Sequence, residues 1–364
     1  MDDDNDSDYW LFLELLNQTY NMTDPTYVES KTVKLCTKKA VNQFGAKLIP
    51  VFYYVNFLLS FIGNGLVLLI IYKYEKLSTV TNIFQLNLVF SNLLFASSLP
   101  FLATYHLSEW IFGPALCKMV SSAYFIGFYS SILFLTLMTF DRYLAVVHVV
   151  AATKSRKKVY AVISSVIVWC ISIAASVKEL VLRNVWESPT DGLMCEETGL
   201  SAATMEYWRL VSYYQQFLLF FLIPLIMVIY CYISITMRIL STRMKGKCRA
   251  IKLIFVILST FFVCWTPYNV VSLIRAIRIS QTTEEEETCS DSDNIDYAFY
   301  VTRNIAYLYC CISPVFYTFL GKKFQSHFKR LIVKKIPSLQ RQISFNSHST
   351  KTTSQRMPHS VYDY

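Results

Sequence analysis

Apolar and polar positions alternate along this chain in long blocks. Seven apolar stretches recur, at 48–72, 83–106, 119–140, 159–177, 210–237, 253–274 and 298–320, with short polar connectors between them. About 20 apolar residues suffice for an α-helix to cross a hydrocarbon layer about 30 Å thick. The third, fifth and sixth stretches contain no Asp, Glu, Lys or Arg. A transmembrane barrel would instead show strands of about 10 residues with alternating polarity. A soluble core rarely holds seven such helices in series. The pattern therefore predicts an all-α membrane protein, a bundle of seven spanning helices.

Composition agrees. Hydrophobic residues make up 54% of the 364 residues and charged residues 16%. A soluble domain carries about 25% charged residues. The opening Met1–Asp8 is acidic rather than basic and then apolar, so the first span is expected to serve as its own insertion signal.

Charge sets the orientation. Residues 73–82, 141–158, 238–252 and 321–364 together hold 22 Lys or Arg and 3 Asp or Glu, whereas the remainder holds 12 basic and 22 acidic residues. Basic residues gather on the cytoplasmic side of membrane proteins. The amino terminus is thus expected outside and the tail inside. The sequons at Asn17 and Asn21 lie in the segment so placed outside, as glycosylation requires. Cys36, Cys117, Cys195 and Cys289 also fall outside, where disulfides persist. Four cysteines permit three pairings, and the sequence by itself does not choose among them. Cys170, Cys231, Cys264, Cys310 and Cys311 lie within spans and Cys248 is cytoplasmic, so these read as reduced.

The chain divides into an acidic external segment, 1–47, the helix domain, 48–320, and two cytoplasmic parts. Residues 321–333 place Phe324, Phe328, Leu331 and Ile332 at helical spacing among basic residues, which predicts a short amphipathic helix on the inner membrane surface. Residues 334–364 form a Ser/Thr-rich tail with no Cys to carry a palmitoyl chain. No internal repeat is evident, which weakens a transporter reading.

Motifs inside the helices narrow the class. In order they are Gly63-Asn64, Asp141-Arg142-Tyr143, Trp169, Pro224 with Tyr232, Cys264-Trp265-Thr266-Pro267, and Ser313-Pro314-Val315-Phe316-Tyr317. The set resembles the rhodopsin-like G-protein-coupled receptors across the whole chain. Asp141 to His148, Trp110-Ile111-Phe112-Gly113 before Cys117, Ser98-Leu99-Pro100, Trp265 to Asn269, and Cys310-Cys311 before Lys323-Phe324 resemble the chemokine receptors more closely. Lys73-Tyr74-Glu75, Thr81 to Phe84 and Arg303-Asn304 look most like the XC (lymphotactin) type, with a CC-type relative as the alternative.

That resemblance implies a plasma-membrane receptor that binds an extracellular chemokine and activates a heterotrimeric G protein, of the inhibitory type, in leukocyte chemotaxis and calcium signalling. It implies disulfides Cys117–Cys195 and Cys36–Cys289. It implies a pocket lined by Tyr105, Tyr124, Glu179, Tyr268 and Arg303. The acidic outer face, with five Asp around Tyr9 and the Glu284–Glu287 run, would draw in a basic ligand. Tyr9, beside Asp8, is a plausible sulfation site, with Tyr20 and Tyr27 behind it. At the inner end the family pattern has Asp141 hold Arg142 at rest, beside Tyr143. Tyr232 and Tyr317 turn inward on activation, Trp265 acts as a packing switch, and Pro267 kinks its helix. An arrestin and a receptor kinase would act on Ser344, Ser347, Ser349, Thr350, Thr352, Thr353 and Ser354.

Four positions depart from the family. Arg303 stands where many chemokine receptors carry Glu, and an ionisable group inside a span is usually functional. Asn92 replaces Asp, Ser313 replaces Asn, and Val149 replaces Pro. Without the buried carboxylate, an internal sodium ion loses its hard anionic ligand. The alternatives are a scavenging receptor without G-protein signalling, or another peptide receptor of the class. A channel or transporter would need paired midspan charges or matched broken helices, and the sequence offers neither. Five scattered histidines give no catalytic or metal-binding spacing. No enzyme activity, cofactor or nucleic-acid partner is expected; membrane lipid is.

Overall fold

The computed structural model describes residues 39–75, 79–149, 158–188, 192–242, 248–281 and 289–320, with Ser326. Tyr9, Asn17, Asn21, Cys36, the expected surface helix at 321–333 apart from Ser326, and the tail lie outside the described residues. So do the side chains of Cys289, Ser313 and Tyr317.

The long helices are α1 (Lys39–Tyr74), α2 (Val80–Leu107), α3 (Gly113–Val147) and α4 (Lys158–Ala175). A short α5 (Val177–Leu182) leads into strands β1 (Arg183–Ser188) and β2 (Gly192–Glu197). There follow α6 (Ala202–Phe217), a π turn (Leu218–Leu222), α7 (Ile223–Thr242), α8 (Cys248–Gln281) and α9 (Cys289–Leu320). Six of the seven apolar stretches fall within one long helix or, for the fifth, within α6–α7. Most helices overrun their stretch. At 1.5 Å per residue, the 35 residues of α3 reach about 52 Å, well beyond the hydrocarbon layer. The fourth stretch differs. Its helix stops at Ala175, where Ser176 Oγ donates to the Ser172 carbonyl at 2.8 Å and competes with the helical pattern.

Among the described residues, α1, α2, α3, α4 and the α6–α7 pair are each long and apolar enough to cross a membrane. Helices α8 and α9, of 34 and 32 residues, complete a set of seven. Neighbours pack in a ring: α9 on α1, α1 on α2, α2 on α3, and α8 on both α6 and α9. Helix α3 fills the middle, touching α2, α4, α5, α7 and β1. Its most apolar window is 61% buried, against 22% in peripheral α4.

The polarity of the bundle is that of a protein dissolved in lipid. Val51, Leu58, Ile62, Ile163, Val166, Ile226, Ile229 and Ile233 are exposed on the outside. Asn56, Asn64, Ser91, Asn92 and Ser130 are buried inside. Lipid tails supply no hydrophobic drive for helix association, so polar contacts and close packing hold the bundle. Asn92 Nδ2 donates to Asn64 Oδ1 at 3.2 Å, joining α2 to α1. Ser130 Oγ donates to Ser91 Oγ at 2.8 Å, joining α3 to α2. Trp169 Nε1 donates to Asn87 Oδ1 at 2.9 Å, joining α4 to α2. Gly127 lets α3 press on α2: a Cβ there would stand 2.5 Å from the Phe95 backbone nitrogen.

Pro224 accounts for the break between α6 and α7. It has no N–H to offer the carbonyl four residues back. The preceding turn widens, and the Ile223 N–H reaches Leu218 O, five residues back.

Among the described residues, the helical bundle carries one β element. Strands β1 and β2 pair antiparallel, with Val185 opposite Cys195 and Ser188 opposite Gly192. Gly192 holds φ +72°, and Glu109 Oε2 accepts from the neighbouring Leu193 N–H at 2.8 Å. The Trp110 N–H donates to Leu193 O at 2.7 Å, and the Cys117–Cys195 disulfide ties β2 to α3. Trp110 is fully buried against that disulfide, its indole N–H donating to Gly113 O at 2.8 Å. Gly113 sits at φ +77°, so this turn favours a glycine.

Candidate functional site

The hairpin roofs a cavity of about 380 Å³ between α2, α3, α6, α8 and α9. Tyr105, Tyr124, Glu179, Tyr268 and Arg303, all predicted from the resemblance, line it. Tyr53, Tyr307, Lys178, Arg183, Gln216 and Glu197 line it too and were not anticipated. Tyr307 had a signal: it lies four residues after Arg303 and so shares its helix face. Tyr53 and Gln216 had none.

The upper wall is an ion-pair network. Lys178 Nζ lies 2.6 Å from Glu197 Oε1 and 3.5 Å from Glu179 Oε1. Arg183 Nε lies 2.9 Å from Glu179 Oε2, and its Nη1 donates to the Cys195 carbonyl at 3.1 Å. Burial alone would push the Arg183 guanidinium down. Glu179, Glu197 and Glu196 outweigh it and hold the group above its ordinary value. Glu179 thus lines the cavity with both oxygens engaged, by Arg183 and by Lys178.

The deep wall is aromatic. Tyr307 Oη donates to Tyr124 Oη at 2.7 Å, linking α9 to α3. Tyr53 packs on Tyr307 at 5.4 Å between ring centroids, and Phe95 on Tyr124 at 5.0 Å. Arg303 rests on Phe299 and Tyr300, its Cζ 5.3 Å from each ring centre. Its Nε and Nη2 are buried without a hydrogen-bond partner among the described residues. Arg275, also over Phe299, pairs with Asp296 at 2.9 Å.

Below the cavity floor, Trp265 is buried and stacked on Phe128 at 4.2 Å. It meets Tyr268 edge-on at 5.9 Å and lies against Tyr307 at 6.3 Å. Its indole N–H has no hydrogen-bond partner among the described residues. Two residues on, Pro267 lies inside the continuous helix α8 and removes one backbone donor from it. Asn269 Nδ2 donates to the Trp265 carbonyl at 2.9 Å and Gln216 Nε2 to Asn269 Oδ1 at 3.3 Å, linking α6 to α8 beside the proline.

At the far end, Asp141 is buried and Arg142 Nη2 donates to Thr81 Oγ1 at 2.7 Å. Thr81 was not anticipated as a partner. Tyr143 pairs with the His148 imidazole at 3.0 Å. Tyr232 packs on Phe255 at 5.2 Å, and its buried hydroxyl has no hydrogen-bond partner among the described residues.

The chain matches the model of the 7 transmembrane receptor (rhodopsin family) over residues 63–317. It is 36% identical to C-C chemokine receptor type 1 of Homo sapiens over 326 residues, covering 89% of this chain and 90% of that protein. It is 32% identical to C-C chemokine receptor type 4 of Homo sapiens over 345 residues, covering 93% and 94%. The chain belongs to the rhodopsin family of seven-transmembrane receptors, in the branch that holds the chemokine receptors. It is a multi-pass membrane protein of a family of receptors, not enzymes.

Proposed function

We propose that this receptor binds an extracellular chemokine at the hairpin end of the bundle and activates a heterotrimeric G protein of the inhibitory type at the Arg142 end. One observation carries the reading. The cavity floor, Tyr124 with Tyr307, continues through Trp265 and Phe128 into α3, which carries Asp141, Arg142 and Tyr143. A ligand that moves the floor thereby acts on the helix that meets the G protein. Release of Arg142 from α2, with Tyr232 and Tyr317 turning in and α8 swinging about Pro267, completes the switch.

The amino terminus lies outside, as the basic excess of the opposite connectors supports. Cys36–Cys289 closes the ligand mouth, Tyr9 and its neighbouring carboxylates meet the basic ligand, and Asn17 and Asn21 carry glycans. The phosphorylated tail recruits arrestin, and the 321–333 helix lies on membrane lipid. Arg303 sets the ligand specificity apart from receptors with Glu there, in the manner of the XC type. A cyclic-AMP and calcium screen of cells expressing the receptor against purified chemokines tests the proposal. Suppressed cyclic AMP with one or a few chemokines supports it. Silence across the panel with the receptor at the surface contradicts it.

A further inference from the structure

The charges around the cavity are unevenly matched. Lys178 and Arg183 face Glu197 and Glu179, and Arg275 faces Asp296. Arg303, deeper, has its Nε and Nη2 buried and, among the described residues, unpartnered. Phe299 and Tyr300 support its guanidinium from the side. The walls beside it are the rings of Tyr53, Tyr124, Tyr268 and Tyr307. A guanidinium presents donors in a planar fork that matches a carboxylate. Leaving such donors buried and unmade is costly, so a ligand that completes them gains affinity.

We propose that the floor of the cavity is a carboxylate subsite in which Arg303 receives an acid group while the tyrosine rings enclose the apolar group that carries it. The acid can be a side chain of the protein ligand or a small aryl-alkyl acid, since both present the same planar anion on an apolar stem. A cavity of about 380 Å³ holds such a group. Arg209, exposed at the mouth, is the competing cation on the lining. The proposal rests on this cavity being the ligand site.

The test is equilibrium binding of 3-phenylpropionate and of 3-phenylpropylamine to the purified full chain in lipid nanodiscs, read by calorimetry. The acid should bind at least tenfold more tightly than the amine, a difference of about 1.4 kcal/mol. Arg303→Gln should erase that preference and Arg303→Lys should keep it in part. Arg303→Glu should reverse it, and Arg209→Ala should leave it unchanged. Equal affinity for acid and amine, or an acid preference that survives Arg303→Gln or is lost in Arg209→Ala, overturns the subsite. Binding is read without signalling. A receptor that prefers the acid yet answers no chemokine refutes the functional reading alone. In cells that do respond, an acid side chain as the source requires that chemokine potency fall in Arg303→Gln and that 3-phenylpropionate compete with the chemokine.

Discussion

Arg142 on α3 donates through Nη2 to the hydroxyl of Thr81 on α2 at 2.7 Å. The two residues are 61 positions apart, and the bond fastens the middle of the bundle to its neighbour at the end expected to face the cytoplasm. Thr81→Val removes the acceptor and keeps the shape. A charged hydrogen bond of this kind contributes about 1.5 kcal/mol or more, roughly tenfold in the balance of resting and active forms. Basal G-protein dissociation should rise several-fold in Thr81→Val and stay near the wild-type level in Thr81→Ser.

Tyr307 and Tyr124 form the hydroxyl pair beneath Arg303. Tyr307→Phe leaves the ring packing and removes one donor. The loss is about 1 kcal/mol, which should weaken agonist potency about fivefold with surface expression unchanged. A concentration–response curve for cyclic-AMP suppression checks it.

Gly127 permits the close approach of α3 to α2. An added Cβ would meet the Phe95 backbone, which cannot move aside as a side chain can. Gly127→Ala should lower the melting temperature of the detergent-solubilised receptor, on an overpacking cost of about 1–3 kcal/mol. A Gly65→Ala control should do much less, because nothing lies within 4 Å of that Cβ.

Asn92 is buried and donates to Asn64. An amide supplies no anionic oxygen for a small hard cation. Agonist affinity should therefore be the same in sodium chloride and in choline chloride, while Asn92→Asp should introduce a sodium-dependent shift.

Much of this was legible in the sequence, for identifiable reasons. The helices are announced by long, mostly apolar runs free of charged residues, such as 210–237, because lipid demands them. Tyr105, Tyr124, Glu179, Tyr268 and Arg303 line one cavity, and Cys117 pairs with Cys195 as the resemblance implied. The hairpin was missed although Asp191-Gly192 is a turn signal. Its strands are six residues each, too short to stand out beside spans of twenty or more. The Lys178–Glu197 and Arg142–Thr81 contacts join residues far apart in the chain, and no local pattern foretells them. The π turn follows from a missing N–H at Pro224, but whether such a site kinks or widens a helix depends on its neighbours. The amino-terminal segment, the expected Cys36–Cys289 pairing and nearly all of the expected surface helix lie outside the described residues.

On the proposed function, binding at the hairpin end reaches a G protein through α3. Energy-transfer measurement of G-protein dissociation in intact cells, with chemokine uptake followed in parallel, tests it most directly. Dissociation should occur in the wild type and vanish in Arg142→Ala while uptake persists. Chemokine binding and uptake by the wild type with no dissociation would contradict the account and leave a scavenging receptor.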